Sequence, residues 1–125
     1  MDLSKKVIII TGASSGIGLA TARLLSAQGA RLALAARSTQ KIKMLSKELP
    51  DSIAVTTDLT KISEIKRLVK RTTEHFGRID ILVNNAGQGY DAPIEKTDLT
   101  IFDYVFRLDV IGPLVAMQQV IPWMR

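Results

Sequence analysis

Apolar positions along this chain follow two alternating rhythms. Short aliphatic runs, Val7-Ile8-Ile9-Ile10, Leu32-Ala33-Leu34-Ala35-Ala36 and Ile81-Leu82-Val83, contain no polar residue, which is how strands covered on both faces read. Between them the spacing changes to three and four. Ile62, Ile65, Leu68, Val69, Thr72 and Phe76 fall on one side of a helix and leave Lys61, Lys66, Arg67, Lys70 and Arg71 as its solvated side. Gly29, Pro50 and Gly77 punctuate the pattern where helices stop. The resulting expectation is strands over 7–10, 31–36, 53–57 and 80–84, with helices over about 17–28, 39–49 and 61–76 between them. A loop from Gln88 to Lys96 follows, then a helical stretch over about 97–124, bent near Gly112-Pro113 because proline removes a donor and crowds the preceding turn.

This βαβαβαβ series is α/β. Right-handed crossovers wind it into a doubly wound, open parallel sheet of Rossmann-like type, strand order 3-2-1-4, with helices on both faces. Strand order reverses between the first and fourth strands, so a ligand belongs outside their carboxyl ends. Thr11–Gly18 and Asn84–Gly87 both lie there.

Composition narrows the function classes. The 125 residues, 46% hydrophobic and 23% charged, make one domain with no linker or repeat, and no apolar run is long enough to span a bilayer. The segment Met1-Asp2-Leu3-Ser4-Lys5-Lys6 lacks the apolar stretch of a secretory signal and there is no cysteine, so the expected setting is cytoplasmic. A net charge of +5 raises nucleic acid as a partner, but no aromatic residues interleave with the basic ones. The charge is better suited to attracting an anionic cofactor; neither nucleic acid nor membrane is an expected partner. His75 is the lone histidine and no metal constellation accompanies it.

The glycine-rich turn carries the chemistry. Gly12, Gly16 and Gly18 stand between the first strand and its helix, whose first N–H groups have no intrahelical partner and sit at the positive end of the dipole. They can receive a pyrophosphate directly, provided no Cβ holds it away and the turn can visit positive φ. A tight connection without a ligand would use the same glycines, so context decides. Thr11-Gly12-x-x-x-Gly16-x-Gly18 resembles the cofactor motif of the short-chain dehydrogenases/reductases, and Asn84-Asn85-Ala86-Gly87 resembles the motif that follows the family's fourth strand. The resemblance covers the whole chain but about half of the family's fold. It implies a single dinucleotide-binding domain over 1–125, ending before the later strands and the catalytic Tyr-x-x-x-Lys segment.

By the same resemblance, Gly12, Ser14, Ser15, Gly16, Ile17 and Gly18 serve the phosphates. Asn84 is chiefly sheet-stabilising, and Asn85, Ala86 and Gly87 line the adenosine ribose and pyrophosphate. Asp58 accepts from the adenine amino group and the backbone of Leu59 bonds the ring, although Asp58 and Thr60 would also organise the next helix. Family members using NAD typically carry aspartate at the position of Ala36, whereas Ala36-Arg37 resembles those using NADP. The fixed fork of a guanidinium suits a 2′-phosphate, so Arg37 is the expected determinant, the alternative being a plain surface arginine. Ser38 or Thr39 adds a hydroxyl or caps the next helix. Asp109 departs from the family, occupying the position of a catalytic asparagine; a carboxylate accepts hydrogen bonds there but donates none, which puts its role in doubt.

The implied activity of the complete form is hydride transfer between NADP(H) and a carbonyl or alcohol carbon of a small-molecule substrate. Within this chain Tyr90 is followed four residues later by Ile94 and Tyr104 by Leu108, so neither begins Tyr-x-x-x-Lys. No catalytic residue is expected here and the chain alone is expected to be inactive; its alternative reading is a non-catalytic nucleotide-binding or interaction module. A strand over 80–84, apolar on both faces yet at the sheet's edge, and terminal helices richer in apolar residues than four strands can cover, predict a homo-oligomer.

Overall fold

The computed structural model describes residues 2–125. Strand β1 (Val7–Thr11) leads into helix α1 (Gly16–Ala27), β2 (Arg31–Ala36) into α2 (Thr39–Glu48), β3 (Ser52–Thr56) into α3 (Ile62–Phe76), and β4 (Ile81–Val83) closes the series. The four strands are parallel in the order β3-β2-β1-β4, the expected doubly wound arrangement. Ile9 sits beside Ala33 on one flank and Leu82 on the other.

Alternation along β1 and β2 divides the core into two layers. Ile8, Ile10, Leu32 and Leu34 face α1 and α2, where Ala22, Ile42, Leu45 and Leu49 meet them. Ile9, Ala33 and Ala35 face the opposite way, against Leu68 and Val69 of α3 and Val120 of the last helix. Both sides of the strands are therefore dry, and fully burying each aliphatic side chain contributes about 1.5–3 kcal/mol. Helix α3 turns the stripe read from sequence inward, with Ile65, Leu68, Val69 and Thr72 buried, while Ile62 is 47% exposed. Gly77 ends it in a left-handed conformation, φ +78°.

The terminal stretch differs from a single helix bent at Gly112-Pro113. A short 3₁₀ turn at Ile94–Lys96 precedes α4 (Leu99–Phe106), a π-helical turn follows at Arg107–Ile111, and α5 (Gly112–Met124) completes the chain. The irregularity thus lies before the glycine. Pro113 has no N–H for the carbonyl of Asp109 and its ring would crowd that carbonyl, so the preceding turn widens. The sequence carries a signal of this in Phe102, Phe106, Val110 and Leu114, a spacing of four sustained too long for a regular 3.6-residue helix. Asp98 caps α4 by accepting from the N–H groups of Thr100 and Ile101.

Strand β4 is also shorter than the predicted 80–84. At one end the Asp80 N–H still donates to the Val7 carbonyl at 2.9 Å, but the Val7 N–H is taken by the Asp80 side chain and not by a β4 carbonyl, Oδ2 accepting it at 2.9 Å while Oδ1 takes Arg78 Nη2 at 2.6 Å. At the other end the Asn85 N–H turns to the Thr11 hydroxyl, which ends the ladder at Val83. Partial burial opposes charge on Asp80, but the hydrogen bonds from Arg78 and Val7, with the charges of Arg78 and Lys6, outweigh it and hold the carboxyl below the usual aspartate range.

A depressed carboxylate pKa contributes stability above its unfolded value, about 4, and loses it as pH falls through the folded value. Asp80→Ala also strands the Val7 N–H, whose residue is wholly buried, at a cost of about 1–3 kcal/mol. Urea unfolding should show that loss at pH 7 and show it narrowing below about pH 4; a difference constant across pH would contradict the assignment.

Candidate functional site

A cleft of about 340 Å³ opens where the carboxyl ends of β1, β2 and β4 meet. That volume is within the range of small-ligand sites. Of the residues singled out from sequence, Gly12, Ser14, Ser15, Arg37, Ser38, Leu59, Asn85, Ala86 and Gly87 line it. Gly16, Ile17, Gly18 and Asp58 do not. Gly16 and Gly18 shape the turn from behind, Ile17 is 78% exposed on the first turn of α1, and Asp58 faces its own helix start. Ala36, singled out from sequence for the acid it lacks, is in the lining too; Ala35, Thr57, Gln88 and Leu108 complete it and were not among the sequence candidates.

The turn is built around the Gly12 carbonyl. A Cβ on Gly18 would lie 2.2 Å from that oxygen, so Gly18 is required by packing between α1 and the end of β1. Gly16 is required for a different reason, φ +55° with open space around it. Helix α1 begins after Ser15 with no side-chain cap and no acidic residue in its first turn. Its leading N–H groups and the dipole behind them are thus available to an anion.

Thr11, fully buried, was not among the candidates either. Its hydroxyl oxygen accepts the N–H groups of Asn85 and Ala86, each at 3.0 Å, and donates to the Val83 carbonyl at 3.4 Å. A polar residue closing a run of aliphatic ones was the available signal. Asn85 adds Nδ2 to the Gly12 carbonyl at 3.2 Å. Asn85, not Asn84, ties β4 to β1; Asn84 is exposed and its side chain has no hydrogen bond among the described residues.

Asp58 performs the structural part of its dual expectation. Oδ1 accepts the Thr60 N–H at 2.9 Å and its hydroxyl at 2.7 Å. Burial opposes the charge, and the Thr60 hydrogen bonds together with Lys61 and Arg37 hold this carboxyl below its usual range. Asp109 lies on the π-helical turn and its Oδ1 accepts the Gln88 N–H at 2.8 Å, so the carboxylate anchors the loop that continues from Gly87. Arg37 extends from the end of β2 over the Tyr104 ring, Cζ 5.9 Å from its centroid. No carboxylate stands within ion-pairing distance of it among the described residues. Nor does any group of three or more acidic or histidine side chains suited to a metal, or any helix long and apolar enough to cross a membrane, occur among them.

A family model described as short chain dehydrogenase matches residues 6–125. The chain belongs to the short-chain dehydrogenase family. It is similar to an uncharacterized oxidoreductase of Staphylococcus saprophyticus, 37% identical over 99% of this chain and 51% of the relative. An uncharacterized oxidoreductase of Listeria monocytogenes is 36% identical over 98% and 51%. The chain therefore spans about half the length of these relatives. Among solved structures, a metagenomic short-chain oxidoreductase in complex with NADP superposes with TM-score 0.92 at 31% identity, covering 99% of this chain and 58% of that one. L-Sorbose reductase from Gluconobacter frateurii, complexed with NADPH and L-sorbose, gives 0.93 at 31% identity, covering 99% and 50%.

Replacing Thr11 by valine keeps the shape and removes the acceptor for two backbone N–H groups. Thermal unfolding should report a loss of about 1–3 kcal/mol, and Thr11→Ser, which restores the hydroxyl, should recover most of it. A valine variant as stable as the parent would mean that the two loops are held elsewhere.

Proposed function

We propose that this chain is the cofactor-binding half of an NADP(H)-dependent short-chain oxidoreductase. The observation that carries the reading is one cleft with two anion-binding features at different points. Uncapped N–H groups of α1 stand beside the Gly12 turn, and the Arg37 guanidinium stands at the end of β2 with no acid at Ala36. The first suits a pyrophosphate and the second a 2′-phosphate. The fit extends to the close-packed glycine turn, where a Cβ at Gly12 or Gly18 would collide with its neighbours. Between these points Leu59, Ala86 and Leu108 supply apolar wall for an adenosine. The NADP and NADPH complexes of the structural relatives support the same choice.

Bound nicotinamide would supply or accept the hydride; this chain's residues bind and orient. Gly12 and the α1 N-terminus receive the diphosphate, Arg37 and Ser38 the phosphorylated ribose, and Asn85, Ala86 and Gly87 the adenosine ribose and pyrophosphate. Asp58 and Leu59 are proposed for the adenine edge, with Oδ2 of Asp58 left over from its contacts to Thr60. Hydride transfer to or from a carbonyl or alcohol carbon is proposed for the whole protein. These 125 residues contain no Tyr-x-x-x-Lys to act as the acid/base at the reacting oxygen, so this chain by itself is proposed to bind without turnover. The proposed setting is the cytoplasm.

Self-association is part of the proposal. Phe102, Phe106, Val110, Leu114, Met117 and Ile121, each between 43% and 52% exposed, run as one stripe along α4 and α5. A contiguous apolar stripe of this kind suits a second copy related by a two-fold axis.

Charge-assisted hydrogen bonds contribute about 1.5–3 kcal/mol, or roughly 10- to 150-fold in affinity. In fluorescence titrations Arg37→Ala should weaken NADPH binding by that range and leave NADH nearly unchanged. Equal losses for both cofactors would remove Arg37 as the determinant. For association, equilibrium sedimentation at micromolar concentration should show species larger than the 13.7 kDa monomer, and Phe106→Glu with Leu114→Glu should return it to monomer; a monomeric parent protein would contradict the proposal.

A further inference from the structure

We infer that Tyr104 is a positioning residue for cofactor choice, its ring holding the Arg37 guanidinium ready for a 2′-phosphate. The inference rests on the NADP(H) reading above. Arg37 is exposed at the end of β2 and, like any arginine, has side-chain rotamer freedom to lose on binding. No carboxylate lies within ion-pairing distance of it among the described residues; Asp58 acts on it only through its charge, at longer range. What it does meet is the face of Tyr104, reached from α4 on the far side of the cleft, with Cζ 5.9 Å from the ring centroid. A carboxylate partner would spend the N–H fork that a phosphate needs and would place negative charge beside it. An aromatic face does neither, because the π cloud attracts the cation while the N–H groups remain directed along the guanidinium edge. The contact therefore reduces the freedom lost on binding without competing for the ligand.

Two further observations fix Tyr104 in this role. Leu108, one turn later, lines the cleft, so α4 and the π-helical turn bring the ring to the cleft's border. The Tyr104 hydroxyl is buried with no hydrogen-bond partner among the described residues, which means that in this structure the ring and not the hydroxyl makes the useful contact. Phenylalanine at 104 would accordingly lose nothing that the guanidinium uses, and would relieve a buried unsatisfied group.

The test compares NADPH and NADH binding to the parent chain and to Tyr104→Phe, Tyr104→Leu and Tyr104→Met, alone and combined with Arg37→Ala. Circular dichroism and melting temperature are recorded for each variant. Tyr104→Phe should keep the parent's affinities. Tyr104→Leu should weaken NADPH about 2- to 5-fold, the scale of an exposed cation–π contact, and leave NADH unchanged. In the Arg37→Ala background it should change neither. Tyr104→Met, whose flexible side chain refills the space, answers the same question if the leucine variant is unfolded. Equal losses for NADPH and NADH would make the ring part of the adenosine wall and overturn the inference. A loss that persists without Arg37, or no loss in a parent that prefers NADPH, would overturn it as well. If the parent shows no preference for NADPH, the underlying cofactor reading fails, and this inference with it.

Discussion

Three elements meet at the carbonyl of Gly12. It accepts the Asn85 side-chain amide, it abuts the Cα of Gly18 so closely that no side chain fits there, and it stands next to the buried Thr11 hydroxyl that holds two more N–H groups of the β4 loop. The end of β1, the start of α1 and the exit of β4 are thereby locked to one another. Parallel strands do not connect directly, so the loops leaving two neighbours at the switch point need such a tie to keep a common geometry. The cleft exists because this tie pulls the two loops into a floor while α1 and α4 stand around it.

Charge is arranged around that floor by omission as much as by placement. Helix α1 has no acidic residue near its start and no side chain capping it, so its polar groups are left facing the cleft. Asp109 and Asp58, the nearby carboxylates, are engaged with the Gln88 N–H and with Thr60. The basic groups on α3 that raise the net charge lie on the solvated side of that helix, from which Arg67 also donates to the Thr56 carbonyl.

Much of this is legible in the chain. Ile8 and Ile10 pointing opposite to Ile9 is what an uninterrupted aliphatic strand in a parallel sheet must do, and the glycine spacing located the turn because Gly12 and Gly16 take positive φ while at Gly18 a Cβ would lie 2.2 Å from a carbonyl oxygen. Less legible were choices between chemically equivalent neighbours. Asn84 and Asn85 differ only in which side of the backbone each occupies once β4 ends, and that depends on where Thr11 takes the next N–H. Tyr104 stood out in the sequence only as a tyrosine that does not begin Tyr-x-x-x-Lys, since only the fold brings the end of β2, far away in sequence, beneath its ring. Contacts between distant segments have no periodicity to betray them.

The π-helical turn at Arg107–Ile111 has an effect that reaches beyond its own residues. A π turn amounts to one residue inserted into a helix, and one residue is about 100° of rotation. Helices α4 and α5 are therefore out of phase with each other, although they run on from one another. That offset brings Ala116 and Val120 round to the same side as Tyr104 and Leu108, so that Leu108 both lines the cleft and packs with Ala116. In an uninterrupted helix Ala116 and Val120 would stand about 100° further round and turn away from α3 and the sheet. The turn acts as a phase corrector, carrying one continuous wall from the ligand's border into the core, so that straightening it would unseat the far end of the segment while leaving its near end in place.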